Sequence, residues 1–541
     1  MSNLFIFFTA LVISVALIPL MIRLAPRLGM VDQPDPRKVH TIPTPRVGGV
    51  GIVVGSLVSI LLWVPLNPAT EAYLFGAFVL LAFGLWDDSH ELGHYVKFIG
   101  QFIAVVAVVY YGDVYVRTLP FSGLDPLSAS IGKPFTVFAI VGMINAINHS
   151  DGLDGLAGGL SILSLSCIAY LASLSDGHLV VAIAIATLGG VLGFLRYNTH
   201  PAGVFMGDGG SQFLGFTLGF LAVLLTQDAN TALSPALPAL LLGLPVIDIL
   251  AVFAQRAHQG MNWFRATKNH IHHRLLELGF DHYEAVVVIY SIQMLFVVSA
   301  ILLRYETDSL IVSLYLGVCS LVFVFLIAAK SAGWQAHRAR ASSGLEKLIQ
   351  GLMNNAGVRA APLRLLAVAV PAVIILLGIS ITEVPRDLGM GAAVLSLIAL
   401  LSLLFASNGD SILFRAGAYI SAAFVVYLAA QQPGAIPPVM AVIENSYFAL
   451  LAITIGLAVR FAAAVNFKTN PLDYLLIFIV VSVGIFSHNQ TQHTDLGAIV
   501  AKLVILFYGC ELIISHAKNR WNALNLSTLG TLAMLSVRAL L

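Results

Sequence analysis

The stretch LFIFFTALVISVALIPLMI, residues 4–22, contains no charged side chain, and it is the first indication of the fold class. A helix of about 20 apolar residues is long enough to cross the hydrocarbon core of a bilayer. Comparable stretches recur as far as the C-terminus, and we count about 17 or 18 of them. The sequence therefore predicts an all-α, polytopic membrane protein.

The composition supports this prediction over all 541 residues of the chain. Hydrophobic residues make up 58% and charged residues only 10%, whereas about 25% of the residues of a typical soluble domain are charged. An ordinary cytosolic enzyme, a disordered protein and a nucleic-acid binder are therefore excluded. The three cysteines lie within apolar stretches, so we expect packing residues rather than a disulfide framework or a metal site.

Lysine and arginine residues predict the orientation in the membrane. Arg23, Arg27, Lys38 and Arg46 follow the first apolar stretch, and positive charge marks cytoplasmic loops. The N-terminus is therefore expected outside. Alternation from there gives further cytoplasmic loops near 87–97, 149–158, 196–210 and 256–283.

Polar residues divide the chain into three parts. Residues 1–330 form a membrane domain whose predicted cytoplasmic loops carry paired carboxylates, histidines and glycines. Residues 331–362 form a basic cytoplasmic linker. Residues 363–541 add a second membrane domain, of unknown function and without a comparable polar cluster.

Two adjacent carboxylates, Asp87 and Asp88, end an apolar run, and Lys97 follows them. Adjacent carboxylates repel each other unless a cation lies between them or one keeps its proton. A solvated helix end is the alternative for this pair. Lys97 by itself is better explained as an anchor on the cytoplasmic side than as a ligand.

A second and a third cluster combine carboxylates with glycines. In NHSDGLDG, residues 148–155, a helical turn would put Asp151 and Asp154 on one face, and two ordinary Asp-Gly turns are the alternative. NTHPAGVFMGDGGS, residues 198–211, is a glycine-rich turn before an apolar helix, and its N–H groups suit a phosphate. Asp208 would repel that phosphate unless a divalent cation bridged them; simple helix capping is its alternative.

The histidine-rich sequence HIHHR, residues 270–274, is a fourth cluster. His270, His273 and Arg274 would share a helical face and present imidazoles and a guanidinium to one anionic group. A zinc site is the alternative, but no companion ligand completes a tetrahedral set. All four clusters fall in predicted cytoplasmic loops. Together they describe a phosphoryl-transfer site, in which the protein positions phosphates and neutralises charge.

Five segments resemble, in order, the polyprenyl-phosphate N-acetylhexosamine-1-phosphate transferases, which are related to phospho-N-acetylmuramoyl-pentapeptide transferase. The segments are RKVHTIPTPRVGG (37–49), DDSHELGHYVKFIGQ (87–101), NAINHSDGLDGLAGG (145–159), RYNTHPAGVFMGDGGS (196–211) and HIHHRLLELG (270–279). The resemblance covers residues 1–330, and the histidine segment is more similar to the GlcNAc-type branch. The remaining residues extend beyond the family's usual length.

The resemblance implies an enzyme that uses Mg²⁺, or Mn²⁺ in its place. Such an enzyme moves an N-acetylhexosamine 1-phosphate, GlcNAc 1-phosphate first, from a UDP-sugar to a polyprenyl phosphate such as undecaprenyl phosphate. UMP leaves, and a lipid-linked cell-envelope glycan such as lipopolysaccharide begins. The resemblance also implies a prokaryotic inner membrane with the active site on the cytoplasmic face, and it leaves a homodimer open.

The resemblance also implies roles for individual residues of this sequence. The catalytic residues would be Asp87, Asp88, Lys97, Asp151, Asp154, His270, His272, His273 and Arg274. The nucleotide-contacting residues would be Lys38, Arg46, Asn148, Asp154 and Asn198, and the metal ligands would be Asp208, Asp88 and Asp151. Lys97 would attract the lipid phosphate, and the histidine segment would steady the diphosphate.

A transporter or flippase of a lipid-linked sugar is the alternative from another class, suggested by the number of helices. Transporters usually place ionisable residues near the bilayer midplane, whereas the carboxylates here lie at loop edges. Asp248, which follows Pro245 within an apolar stretch, is the main exception. We expect it to be a buried structural acid.

Overall fold

The computed structural model describes residues 2–34, 42–90, 92–121, 126–261, 269–337, 356–405, 412–431, 438–462, 496–516 and 522–540. The helices in these ranges fall into two compact units, one with the described residues up to 337 and the other with those from 356 onwards.

The described part of the protein is almost entirely helical. Eleven helices in the described ranges are long and apolar enough to cross a membrane, and four shorter apolar helices accompany them. A helix suits the bilayer because its backbone N–H and C=O groups bond within the segment, where no water is present to satisfy them. The predicted all-α polytopic class is confirmed, and the chain is a multi-pass membrane protein.

The first unit consists of helices and one short β-ribbon. Its helices are α1 (Ser2–Leu24), α2 (Gly48–Trp63), α3 (Pro68–His90), α4 (His94–Val106), α5 (Ala129–Ser150), α6 (Leu156–Ser173), α7 (His178–Asn198), α8 (Gly207–Leu224), α9 (Pro238–Leu241), α10 (Gly243–His258), α11 (Ile271–Glu277), α12 (His282–Leu302) and α13 (Asp308–Ser331). The ribbon pairs β1 (Val31–Asp32) with β2 (Thr44–Pro45) in antiparallel fashion. π-Helical turns extend α4 over Ala107–Tyr111 and α8 over Leu225–Ala229.

Helix α8 is the centre of the first unit. The apolar span of this helix is fully buried, and α2, α3 and α5 pack against it. A helix that is apolar on all sides is stable only when other elements or lipid surround it. A hydrogen bond of 2.9 Å between the hydroxyls of Tyr73 on α3 and Thr217 on α8 satisfies two buried polar groups. This packing fixes the position of the N-terminal end of α8.

The β-ribbon is fastened to the loop that precedes α8. The backbone N–H of Phe205 donates to the carbonyl of Pro45 at 2.8 Å, and the N–H of Gly48 donates to the carbonyl of Phe205 at 2.9 Å. The start of α8, the start of α2 and the ribbon therefore meet at one end of the unit.

The second unit consists of helices in its described part. They are α14 (Ala356–Ser380), α15 (Arg386–Phe405), α16 (Ile412–Ala430), α17 (Pro438–Ala462), α18 (Leu496–His516) and α19 (Ala523–Leu540). Within this unit the Tyr419 hydroxyl donates to Glu511, and Lys502 pairs with Glu444 at 2.7 Å. Charged groups within apolar helices are costly unless they are paired.

The three cysteines, Cys167, Cys319 and Cys510, are free and buried. The prediction that they are packing residues is confirmed.

Candidate active site

A cavity of about 500 Å³ lies among helix ends and loops of the first unit. It is lined by residues of the ribbon, the ends of α3 and α5, the loop after α5, the loop before α8 and the histidine segment. The predicted site residues among them are Arg46, Asp88, Asn148, Asp151, Asp154, Asn198, Asp208 and His273. Four separate sequence clusters therefore meet at one cavity.

The two adjacent aspartates in the last turns of α3 have different partners. Asp88 lines the cavity, and its carboxylate accepts the backbone N–H of Asp208 at 3.1 Å. Asp87 instead accepts the N–H of Leu92 at 2.6 Å and pairs with Lys97 at 2.6 Å. Both aspartates are buried, and of the two only Asp88 lines this cavity.

The close approach of Asp88 to α8 depends on Gly207. This residue has a φ of +74°, in the left-handed region that favours glycine. A Cβ at this position would lie 2.5 Å from Oδ2 of Asp88 and 2.9 Å from the carbonyl oxygen of Arg46. The N–H of Asp208 binds Asp88, so it is not the free phosphate-binding group that the sequence suggested.

Lys97 and Asn148 hold Asp208 from two sides. The Nζ atom of Lys97 lies 2.6 Å from Oδ2 of Asp208 and so bridges this carboxylate to that of Asp87. The side-chain amide of Asn148 donates to Oδ1 of Asp208 at 3.0 Å and to the Ser211 hydroxyl at 2.8 Å. Charge-assisted contacts of this kind fix the carboxylate orientation.

The segment 151–155 is a turn between α5 and α6. The predicted helical turn is therefore wrong, but Asp151 and Asp154 line the same cavity. Burial, followed by the charges of Asp208 and Asp154, raises the pKa of Asp151 to about 7. Carboxylates with insufficient positive charge nearby repel each other in this way.

Asn198 and Asp154 fasten the loop that precedes α8. The side-chain oxygen of Asn198 accepts the N–H of Gly155 at 2.8 Å. A carboxylate oxygen of Asp154 accepts the N–H of Ala202 at 3.1 Å and lies 2.6 Å from Nδ1 of His200. Two residues predicted to contact the nucleotide thus also shape the cavity wall.

The histidine segment is split between the cavity and the protein interior. His273 lines the cavity, whereas His272 is 3% exposed. A Cβ on Gly152 would lie 2.3 Å from Nε2 of His272, so the imidazole packs directly on this glycine. Burial, together with the neighbouring imidazoles of His273 and His270, lowers the pKa of His272 well below its ordinary value. His272 is therefore neutral at pH 7 and contributes no positive charge.

His270 and Arg274 flank the first turn of α11. His270 is buried, and its ring stacks on that of His149 with a centroid distance of 5.5 Å. Arg274 donates to the carbonyl of Asn269 at 2.9 Å and to the side-chain oxygen of Gln255 at 3.1 Å.

Of the two basic residues predicted from the first loop, Arg46 lines the cavity and pairs with Asp32 of β1. Lys38 lies outside the described residues.

The carboxylates of the cavity suit a hard divalent cation. Asp88, Asp151 and Asp208 all border it, and the pKa of Asp151 is raised first by burial and then by the charges of Asp208 and Asp154. Carboxylate oxygens are the protein ligands that Mg²⁺ prefers, usually one or two of them together with substrate phosphates. The chemistry of these carboxylates therefore suits a magnesium ion, but the three are not among the described groups whose potential ligand atoms all lie within 4.8 Å of one another.

A second group, Asp154, His200 and His282, brings potential metal-binding atoms within 4.8 Å of one another. The rings of His200 and His282 stack with a centroid distance of 4.1 Å and an interplanar angle of 20°. An ion bound by two imidazole nitrogens must lie near both ring planes, which stacked rings do not allow. This group does not fit a chelated metal and instead forms part of the cavity wall.

Sequence reasoning missed His200, His282 and Phe205, which also line the cavity. His200 and Phe205 stand within the quoted segment 196–211, so their place in that segment was the available signal. His282 begins α12 and had no comparable signal.

Known proteins match the first unit. The family described as Glycosyl transferase family 4 matches residues 71–226. A "Probable undecaprenyl-phosphate N-acetylglucosaminyl 1-phosphate transferase" of Bacillus subtilis is 36% identical over 326 residues, which are 60% of this chain and 90% of that protein. An "Undecaprenyl-phosphate alpha-N-acetylglucosaminyl 1-phosphate transferase" of Haemophilus influenzae is 35% identical over 49% of this chain and 77% of its own length.

A third relative, a "Decaprenyl-phosphate N-acetylglucosaminephosphotransferase" of Mycobacterium leprae, is 33% identical over 49% of this chain and 75% of its own length. The membrane-length helices and the names of these relatives together define a membrane-embedded enzyme that transfers a sugar phosphate to a polyprenyl phosphate. The chain belongs to glycosyl transferase family 4, and the predicted resemblance to its GlcNAc-type branch is confirmed. The relatives give no support to the transporter alternative.

Proposed function

We propose that this protein transfers GlcNAc 1-phosphate from UDP-GlcNAc to a polyprenyl phosphate, undecaprenyl phosphate in the first instance, and releases UMP. The observation that carries this proposal is the convergence of Asp88, Asp151 and Asp208 on one cavity. The names of the relatives supply the sugar and the lipid class. The product would start a lipid-linked glycan of the cell envelope.

The cavity suits the nucleotide sugar. Pockets for ligands of this size typically measure about 300–1,000 Å³, and this one measures about 500 Å³. Arg46 offers a guanidinium at its edge, and His273 offers an imidazole. These two groups would bind phosphate oxygens, and the loop held by Asn198 and Asp154 also lines the cavity.

Asp208, Asp88 and Asp151 would hold a Mg²⁺ ion together with the diphosphate of the donor. The ion would neutralise phosphate charge as it develops. Lys97 and Asn148 orient Asp208 by the contacts at 2.6 and 3.0 Å. Gly207 lets Asp88 reach the start of α8, where its carboxyl group accepts the backbone N–H of Asp208. These contacts therefore orient the carboxylates of Asp208 and Asp88 before substrate binds.

In the proposed step, an oxygen of the polyprenyl phosphate forms a bond to the β-phosphorus of UDP-GlcNAc. The bond from this phosphorus to the bridging oxygen breaks, and UMP leaves with that oxygen. A phosphate monoester has a second pKa of about 6, so the attacking phosphate is mostly dianionic at pH 7 and needs no strong base. Lys97, 28% exposed in its side chain, would attract the incoming lipid phosphate.

The proposed location is the cytoplasmic face of a prokaryotic inner membrane. The positive-inside rule places the loops of the four clusters on that side, and the relatives named above are bacterial. A UDP-sugar donor is made in the cytoplasm, which agrees with this side.

The test is transfer of label from radiolabelled UDP-GlcNAc to undecaprenyl phosphate in detergent, with Mg²⁺, Mn²⁺ or EDTA, while UMP release is measured. We expect labelled lipid and UMP in equal amounts with either metal and none with EDTA. Absence of labelled lipid with GlcNAc and with other UDP-N-acetyl sugars would refute the proposed reaction.

The metal assignment has its own test in Asp208→Asn. We expect kcat to fall by about 10²–10³, the usual effect of removing a group that stabilises transition-state charge. The matched control is Asp228→Asn, because Asp228 lies at the other end of the same helical segment and pairs with Arg117. Near-normal, Mg²⁺-dependent turnover of the Asp208 variant would contradict the assignment.

A further inference from the structure

Asp248 is a buried acid of α10 that the proposed reaction does not use. It is 6% exposed, and each carboxylate oxygen accepts one hydrogen bond from the histidine segment. Oδ2 lies 2.8 Å from Nδ1 of His270, and Oδ1 accepts the backbone N–H of Ile271 at 2.8 Å. A buried carboxylate is costly unless such partners satisfy it.

The bond to Ile271 caps α11 from a different helix. The first N–H groups of a helix have no partner within it, and His270 makes no side-chain cap of its own. Asp248 supplies the missing acceptor, so it fixes where the histidine segment becomes helical. This contact by itself is structural.

The bond to His270 has a chemical consequence. An ionised carboxylate only accepts hydrogen bonds, so Nδ1 of His270 carries the proton in this contact. In the neutral imidazole, Nε2 is then the unprotonated nitrogen and can accept a hydrogen bond. Asp248 thus selects one tautomer of His270.

His270 links Asp248 to the edge of the active site. Its ring stacks on His149, with a centroid distance of 5.5 Å, and lies parallel to His272 at 5.8 Å. His149 is exposed and directly follows Asn148, the residue that donates to Asp208. A change in the orientation of His270 would therefore affect His149, which lies next to a residue of the carboxylate cavity.

We propose that Asp248 is a positioning residue that fixes the tautomer and the orientation of His270 for the transfer reaction. This inference rests on the proposed function. Removing a carboxylate that orients a functional histidine usually lowers activity by about 10–100-fold.

Asp248→Asn separates the two contacts. The amide oxygen of asparagine can still accept the N–H of Ile271, which keeps the cap, but its NH₂ group must then face Nδ1 of His270. The proton of His270 would move to Nε2. We expect kcat to fall about 10–100-fold, with KM and the midpoint of thermal unfolding close to wild type.

A double-mutant cycle shows whether Asp248 acts through His270. In a His270→Gln background, Asp248→Asn should cause less than about a twofold further change in kcat, because the partner is already gone. The matched control is Asp308→Asn, since Asp308 also binds one neighbouring side chain, Ser234 at 2.5 Å, and lies outside the site. Wild-type kcat in Asp248→Asn, or losses that multiply in the double variant, would overturn the proposal.

A second measurement needs no variant at Asp248. Nitrogen NMR of protein labelled with ¹⁵N-histidine, with the His270 signals assigned from their loss in His270→Gln, should show a protonated Nδ1 and an unprotonated Nε2. A proton on Nε2 would overturn the inference even if Asp248→Asn fails to fold. Absence of sugar transfer by the wild type would instead contradict the proposed function, and the tautomer result would stand apart from it.

Discussion

Gly207→Ala should displace the Asp88 side chain without replacing any of the carboxylates of the cavity. The added Cβ would meet Oδ2 of Asp88 at 2.5 Å and the carbonyl oxygen of Arg46 at 2.9 Å, in a residue whose φ is +74°. Both contacts are shorter than van der Waals distance. The Asp88 side chain must therefore move away from the N–H of Asp208.

The substitution has two costs in free energy. A non-glycine residue in the left-handed region costs about 1–2 kcal/mol, and a lost hydrogen bond to a charged group costs about 1.5–3 kcal/mol. We expect the variant to be destabilised by the first amount at least. If the transition state needs Asp88 in place, the second amount corresponds to a roughly 10- to 150-fold loss of kcat/KM.

The assay is label transfer from UDP-GlcNAc at saturating Mg²⁺, with the midpoint of thermal unfolding in the same detergent. Gly203→Ala is the matched control, because it lies in the same loop and its added Cβ would have no neighbour closer than 3.6 Å. We expect this control to stay within twofold of wild type. In an Asp88→Ala background, Gly207→Ala should cost little further activity.

Equal activity and equal unfolding midpoints in Gly207→Ala and Gly203→Ala would refute this reasoning. Additive losses of activity in the double variant at Gly207 and Asp88 would also refute it, because Gly207 would then act by another route.

Lys97→Met should lower stability by about 1–3 kcal/mol, less than for a fully buried pair because the lysine is partly exposed. The substitution leaves the carboxylates of Asp87 and Asp208 close together without the cation that lies 2.6 Å from each. Thermal unfolding measures the loss of stability. Adding Asp87→Asn to Lys97→Met should restore part of that stability. Asp151 gives a pH dependence, because its folded pKa is raised to about 7 above an ordinary value of about 3.9. The stability contributed by its protonated form is complete below pH 4 and is lost as the pH rises through 7. In EDTA, the midpoint of thermal unfolding of Asp151→Asn should therefore decline less than that of wild type between pH 5 and pH 8. Parallel declines would contradict the raised pKa of Asp151.

The two adjacent aspartates show where sequence reasoning stops. The sequence placed both at the end of an apolar helix, and α3 does end at His90. Neighbouring side chains on a helix point about 100° apart, so at most one faces a given cavity directly. The rotation of α3 against α8 decided that Asp88 lines the cavity and Asp87 turns towards Lys97.

The segment 151–155 shows the same limit at the level of local structure. Its spacing of three suited a helical turn, but Asp-Gly steps also suit a turn, and the structure forms the turn. Tertiary contacts decided between them, because the N–H of Gly155 bonds to Asn198 on α7. Both carboxylates still reach the cavity, so the predicted cluster was right where its predicted conformation was wrong.

The membrane class and the chemical composition of the site follow from the sequence alone. Hydropathy is a local property, summed over about 20 residues, and the carboxylates, glycines and histidines of the four clusters can be found without coordinates. Which of these groups meet depends on how the helices pack against one another. Asp88 binds a backbone N–H 120 residues away, and Asp248 binds an imidazole 22 residues away. Such contacts depend on helix packing and rotation, because side-chain hydrogen bonds act only within about 3 Å.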